Sequence, residues 1–398
     1  MSTSTESFIL VLNCGSSSIK FGLFAFAGGG AEIPRRPAWN GKVQGIGGPK
    51  PDFGASTVPV TAVDLGTEHP YAAALRIIRE QALRWLAGRA VAAVAHRVVH
   101  GGRKYFAPVR VDAQVLADLK ALIPLAPLHQ PFALEAIEIL LRERPGLPQV
   151  ACFDTGFHHT LPQVEQMLPL PYAAWERGLR RYGFHGLSYE YMALALAERH
   201  GDAARGRTVV AHLGSGASLC AMRELQSQAT TMGFSALDGL MMGTRTGTLD
   251  PGALIYLMQI EKLSLEQVSH VLYHESGLLG VSGLSSDPRV LLAREADEPR
   301  AALALQLYVR RLVREVGALT AVLGGLDMLV FTAGIGEHSA ALRERVCHAL
   351  GWLGVELDAD ANAADAPLIS SAAGRVLVGV EPTNEEWIAA RHAARFLG

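Results

Sequence analysis

Residues 10–24 read LVLNCGSSSIKFGLF, an apolar run that breaks at Asn13, Cys14, Gly15 and three serines and resumes behind Lys20. A serine-rich turn followed by a lysine invites comparison with a phosphate loop. The pattern GxxxxGK[ST] is not met, because no second glycine precedes Lys20 and the residues after it read as a strand rather than a helix. About half a chain later, residues 209–223 read VVAHLGSGASLCAMR. Both stretches are strand, Gly/Ser turn, strand. Their recurrence predicts a duplicated α/β domain with a glycine-rich hairpin in each half, the pair clasping a polyphosphate. Such turns let backbone N–H groups approach phosphate oxygens with no β-carbon in the way. For either hairpin alone, an ordinary β-turn remains an equal reading.

The totals bound the rest. A chain of 398 residues is long for one core and predicts two domains. With 36 Lys plus Arg against 38 Asp plus Glu the net charge is -2, and no basic tract points to nucleic acid or an anionic membrane. Small, soluble partners are expected. Cys14, Cys152, Cys220 and Cys347 form no CxxC pair, which argues against a zinc site or a disulfide framework and for a reducing cytoplasm. The first ten residues, MSTSTESFIL, carry no basic segment ahead of an apolar core, so no secretory signal is expected and the mature protein is expected to start here. Residues 317–336, GALTAVLGGLDMLVFTAGIG, are hydropathic, but Gly324, Gly325 and Asp327 interrupt them. They read as a helix end, a turn and a buried strand, not a membrane span.

Short β-branched runs predict strands at 8–12, 19–26, 149–153, 208–213, 218–222, 328–332 and 375–380, with helices between and after them. The clearest helix covers about 300–323, where Leu305, Tyr308, Val309, Leu312, Val316, Leu319 and Leu323 make one apolar face. Residues 27–60, rich in Gly and Pro, read as irregular strands and loops.

Seven further stretches are more distinctive: AHRVVHGG (95–102), FDTGFH (153–158), RRYGFHG (180–186), GLMMGTRTG (239–247), SGLLGVSGLSSD (276–287), FTAGIGE (331–337) and EPTNEE (381–386). Together with the opening hairpin, and in unbroken order from about residue 8 to 390, they closely resemble the acetate kinase family of short-chain acyl kinases. The resemblance implies an α/β fold of two ribonuclease-H-like domains, as in actin and sugar kinases, with an ATP cleft between them. The expected division is 1–155 plus 386–398, and 156–385 as the nucleotide-binding and dimerisation domain. The implied activity is reversible, direct in-line transfer of the ATP γ-phosphoryl group to acetate, with ADP as the other product and Mg²⁺ (Mn²⁺ as an alternative) as the metal. A cytoplasmic homodimer is implied as well. Propionate or butyrate kinase is the neighbouring alternative, and a nucleotide-driven assembly module of the same superfamily is the alternative from another class.

Particular residues follow. Two anions must meet in such a reaction, so fixed positive charge is needed. Arg97 and Arg245, in Gly-flanked stretches that read as loops, could each fork onto carboxylate or phosphoryl oxygens. The resemblance makes His185 the histidine that bonds the phosphoryl group in the transition state, His129 a supporting one, and Asp154 the acid that orients Arg97. In PTNEE, Thr383 and Glu386 have the spacing of a capping box, which leaves Glu385 free. The family pattern gives Glu385 and Asn13 to the metal. It gives Ser16, Ser18 and Lys20, the hairpin His212, Leu213, Gly214, Ser215 and Gly216, Asp287 and Arg289, and a turn formed by Ala333, Gly334, Ile335, Gly336 and Glu337 to the nucleotide. Cys14 reads as a small buried thiol, not a nucleophile.

The chain departs from the family pattern at Gln130, Leu187, Tyr189, Ser215 and Thr248. It also carries Ala236 where a proline usually lines the acyl pocket with the equivalents of Val99, Leu128 and Phe184. That substitution predicts a pocket roomier than acetate needs.

Overall fold

The computed structural model describes residues 6–28 and 32–397, so the expectation of no secretory signal falls partly on residues, 1–5, outside the described ones. The chain divides into two compact units, Met1–Phe157 with Asn384–Gly398, and His158–Thr383.

The first unit is built on an eight-stranded sheet. Its strands are β1 (Ser7–Cys14), β2 (Ser18–Phe26), β3 (Trp39–Gln44), β4 (Asp52–Ala55), β5 (Val58–Ala62), β6 (Ala90–Val98), β7 (Val109–Arg110) and β8 (Gln149–Phe153), in the order β5-β4-β3-β2-β1-β6-β8-β7. Strands β1 to β5 pair antiparallel in succession, while β6 runs parallel to β1 and β8 parallel to β6. All five residues of β8 are buried, the mark of a strand covered on both faces. The helix Pro70–Leu86 opens on the preset φ of Pro70 and buries Tyr71, Ala74, Ile78 and Ala82 on one face. The helix Glu385–Arg395 returns to this unit and packs on β1 and β6 through a buried run from Trp387 to Ala390.

The second unit has a five-stranded sheet of β9 (Thr208–Leu213), β10 (Ala217–Arg223), β11 (Gln226–Thr230), β12 (Met328–Thr332) and β13 (Leu377–Val380), in the order β11-β10-β9-β12-β13. Here β9, β10 and β11 are antiparallel, β12 runs parallel to β9 and β13 parallel to β12. Five adjacent strands of the first sheet, β3-β2-β1-β6-β8, repeat this plan strand for strand. The two hairpins that echo each other in sequence are therefore the first hairpins of two copies of one ribonuclease-H-like topology, and the expected fold class holds.

The long helix is Pro299–Leu323, closed by Gly324 at φ 73, where only a residue tolerant of left-handed backbone fits easily. Its expected apolar face is buried except for Val309, which is half-buried. Residues 317–336 resolve as this helix end, a turn and β12, and then a short helix, Ala333–His338, where a turn was expected. No helix among the described residues is long and apolar enough to cross a membrane.

Three expectations need correction. Residues 90–98 were given no strand, yet they form β6, paired between β1 and β8 in the first sheet, so Arg97 lies on a strand and not in a loop. The stretch 27–60 read as irregular contains β3 and β4 and the start of β5, three paired antiparallel strands. The cap of the last helix is Asn384, whose side chain accepts from the Trp387 N–H at 3.1 Å. Thr383 instead sets its hydroxyl 2.8 Å from Ser188 Oγ, so no Thr383/Glu386 box forms. Asparagine caps at least as well as threonine, and choosing it shifts the helix start by one residue.

Candidate active site

In sheets of this kind ligands gather at the carboxyl ends of the parallel strands. In the first unit β1 ends beside Asn13, which is in register with Arg97 of β6 and Lys20 of β2. Asp154 follows directly on β8, its N–H donating to the Val98 carbonyl. Arg97 forks onto it, Nε to Oδ1 at 2.9 Å and Nη2 to Oδ2 at 2.6 Å. The remaining guanidinium nitrogen, Nη1, donates to Asn13 Oδ1 at 3.1 Å and lies 3.8 Å from Glu385 Oε2. Burial works against the charge on Arg97, but Asp154 and Glu385 outweigh it and hold its pKa above the ordinary value. Four residues from separate parts of the sequence thus make one charged cluster.

Its surroundings hold the rest of the first-unit residues. The Gly15–Ser18 turn is closed by the Gly15 N–H donating to the Ser18 carbonyl, with Ser16 and Lys20 exposed. Cys14 is buried and its thiol is pushed up to about 12, which keeps it protonated and unreactive. Glu386 is half-buried, and desolvation raises its pKa against the pull of Lys20. Gln130, one of the departures from the family pattern, is fully buried. Its amide accepts from the His100 N–H and donates to the His100 carbonyl, clamping the backbone just beyond Val99. Leu128 and His129 are half-buried just ahead of the helix Gln130–Glu143, which Gln130 opens.

In the second unit His185 takes φ 58 directly ahead of the helix Gly186–His200. Left-handed backbone at a histidine is uncommon, and neighbouring contacts hold it. The Phe184 carbonyl sits 2.9 Å from His158 Nε2, while His158 Nδ1 lies 2.8 Å from Ser227 Oγ. A carbonyl can only accept, so His158 carries its proton on Nε2 and is neutral, its pKa pushed down to about 4 mainly by burial. His158 was not anticipated as part of the site, although it closes the FDTGFH stretch that supplied Asp154.

His185 stacks on His212, the rings 4.1 Å apart and 15° from parallel. Each ring sets Nδ1 2.8 Å from a serine hydroxyl, Ser218 for His185 and Ser188 for His212. A β-carbon on Gly216 would fall 3.2 Å from His185 Nε2 and 3.7 Å from Arg245 Nη1, so the two side chains converge on the turn and any side chain there would crowd them. Arg245 Nη1 donates to the Ala236 carbonyl at 3.1 Å, and burial lowers its pKa. Gly214 approaches Ala333 at the start of the short helix that carries Gly334, Ile335, Gly336 and Glu337. The far end of that helix is tied down by Arg343, whose buried guanidinium donates to the Gly336 and Glu337 carbonyls. This arginine was also missed. Leu213 and Phe184 are buried, and Ser215 is exposed. Asp287 caps the helix Pro288–Arg294 and pairs with Arg289 at 2.6 Å, so these two are engaged with each other.

One unit therefore gathers Asn13, Arg97, Asp154 and Glu385, and the other gathers His185, His212, Gly216, Ala236, Arg245 and Ala333. The second set brings imidazole and guanidinium donors suited to anionic oxygens, while the first balances one guanidinium against two carboxylates.

Comparison with known proteins agrees over nearly the whole chain. The model of the Acetokinase family matches residues 8–391. The chain is 49% identical to an acetate kinase of Rhodopseudomonas palustris over 97% of this chain and 98% of that protein, and 46% identical to one of Rhizobium meliloti over 96% and 97%. Among solved structures it is similar to the acetate kinase of Porphyromonas gingivalis, at 35% identity and TM-score 0.85, covering 98% of this chain and 100% of that one. A propionate kinase from Francisella tularensis gives 33% identity and TM-score 0.87, covering 97% and 98%. By the extent of these matches, the chain belongs to the acetokinase family.

Proposed function

We propose that this chain is an ATP-dependent acetate kinase that converts acetate and ATP reversibly to acetyl phosphate and ADP. A carboxylate oxygen forms a bond to the γ-phosphorus as the bond to the β-phosphate oxygen breaks, and that oxygen leaves with the electron pair. The observation that carries the reading is the convergence of His185 Nε2 and Arg245 Nη1 on the Gly216 turn, a preorganised set of donors for oxygens that gain charge. Arg97, held rigid by Asp154, supplies a second fixed cation. The turns at Gly15–Ser18 and Gly214–Gly216 take the nucleotide phosphates, and the helix Ala333–His338 takes the nucleoside side. Asp287 and Arg289 are assigned a supporting nucleotide contact.

Asn13 and Glu385 fit Mg²⁺: both present hard oxygens that converge on one nitrogen of Arg97, and this ion needs only one or two protein ligands. When bound it would neutralise phosphate charge. We further assign the protein to the cytoplasm, in keeping with four buried cysteines that form no disulfide, and to a homodimer, for which Ile255, Tyr256, Met258 and Ile260 offer an exposed apolar surface. The test traps acyl phosphate as hydroxamate from acetate, propionate or butyrate with MgATP. Acetohydroxamate formation is expected. No hydroxamate from any of the three acids would overturn the proposal.

A further inference from the structure

The stacked imidazoles of His185 and His212 are each backed by two hydroxyls in series. Behind His185 Nδ1 stands Ser218 Oγ at 2.8 Å, and behind that the Tyr189 hydroxyl at 2.5 Å from the same oxygen. Behind His212 Nδ1 stands Ser188 Oγ, and behind it Thr383 Oγ1, both at 2.8 Å. Tyr189 and Ser218 are fully buried. Tyr189 is also one of the positions where the chain leaves the family pattern.

A serine hydroxyl has one proton and two lone pairs, and Ser218 Oγ meets only these two partners among the described residues, so for its own proton to be accepted the chain through it must run in one of two directions. Either Tyr189 donates to Ser218 and Ser218 to Nδ1, or Nδ1–H donates to Ser218 and Ser218 to the tyrosine oxygen. The chemistry favours the first. A phenol is a stronger donor than an alcohol, and its oxygen, conjugated with the ring, is the weaker acceptor. The neutral imidazole nitrogen is a good acceptor. With Nδ1 accepting, the ring proton sits on Nε2, the nitrogen that faces the Gly216 turn and Arg245.

We propose that Tyr189, acting through Ser218, is a positioning residue that holds His185 in its neutral Nε2–H tautomer, so that a donor and not a lone pair faces the phosphoryl oxygens. This inference rests on the assignment of His185 to the reacting centre. The short hydrogen bond and the fully buried hydroxyls fix ring orientation as well as proton position, the task that outer partners perform for functional histidines in general.

The test uses the full chain labelled with ¹⁵N-histidine, with the His185 ring assigned through His185→Asn. Wild type is expected to show a pyrrole-type Nε2 and a pyridine-type Nδ1. Tyr189→Phe keeps the ring packing and removes only the oxygen, and Ser218→Ala removes the link. Each should shift the His185 signals toward mixed tautomers and lower kcat about 10- to 100-fold, the range for lost outer partners. KM for ATP and acetate should stay within about threefold, and the double variant should be no worse than Ser218→Ala, as members of one chain are not additive. Unchanged ring signals and kcat in a folded Tyr189→Phe protein would overturn the proposal. If His185→Asn kept full turnover while Tyr189→Phe still altered the tautomer, the hydroxyl chain would stand and the catalytic assignment of His185 would fall.

Discussion

Arg97 and Asp154 meet as a planar fork, two parallel N–H donors on two carboxylate oxygens, with Asp154 only 2% exposed and Arg97 22%. The fork uses Nε and Nη2 and so leaves the Nη1 edge turned to Asn13 and Glu385. Aspartate thus decides which edge of the guanidinium is available. A lysine in place of Arg97 could make one of these contacts but not keep the geometry.

Replacing Arg97 or Arg245 with Ala should lower kcat/KM by roughly 10² to 10³, the loss typical of one preorganised electrostatic donor. Asp154→Asn should act through Arg97 and cost stability as well, toward the lower end of the 3 to about 5 kcal/mol typical of a broken buried pair, because Arg97 keeps some solvent. Hydroxamate kinetics and thermal melts on the three variants check this. A folded Arg245→Ala enzyme with wild-type turnover would remove that residue from the site.

Adjacent residues at the last helix should separate cleanly. Glu385→Ala should abolish activity or sharply raise the Mg²⁺ requirement with little change in melting. Asn384→Ala should cost about 1 kcal/mol of stability through the lost cap. Thr383→Val should leave the cap intact, since its hydroxyl serves Ser188. A Mg²⁺ titration and a melt for each variant decide the matter, and a destabilised Thr383→Val with a stable Asn384→Ala would restore the capping box.

His96, His100 and His158 are buried, and burial lowers each pKa to about 4 from the ordinary histidine value of about 6.5. Between these values the unfolded chain binds protons that the native protein does not, so stability falls as pH drops from about 6.5 toward 4. Each group contributes a slope of up to about 1.4 kcal/mol per pH unit. Melting temperatures between pH 7.5 and 5 should decline on this account, and His158→Gln, though less stable at pH 7, should show a shallower decline. An equal slope in the variant would show that His158 is not held neutral.

The parts of this architecture legible in the sequence were those with a local signal. Both Gly/Ser hairpins announced themselves because glycine and serine interrupt strongly apolar strands, and the helix Pro299–Leu323 did so by its spacing. Strand β6 was not legible: AVAAVAHRV is half alanine or more before its histidine, and alanine has little strand preference of its own. It becomes a strand only because β1 and β8 flank it. The Arg97 fork was anticipated by resemblance, not by spacing, as Asp154 lies far along the chain. Tyr189, Ser218 and His158 were missed as partners because their hydrogen bonds link residues that only the folded sheet brings together. The misplaced cap was a choice between two good capping residues side by side.

The carbonyl of Ala236 holds Arg245, so the residue at 236 is anchored beside a group assigned to the reaction. Proline, usual at this position in the family pattern, would keep that carbonyl and add two ring carbons with a fixed φ. Alanine leaves space for about one more methylene. Burying it gains only about 0.8 kcal/mol, so propionate should match acetate or exceed it several-fold in kcat/KM without an absolute switch. Pockets discriminate a single methylene by roughly 10- to 200-fold at most. Ala236→Pro should move the preference back toward acetate, with Arg245 still bonded to the same carbonyl and kcat for acetate largely kept. The measurement is the propionate-to-acetate ratio of kcat/KM in both proteins at saturating MgATP. An unchanged ratio would show that position 236 does not face the acyl chain, and a wild type that rejects propionate would remove the reason for expecting the extra room.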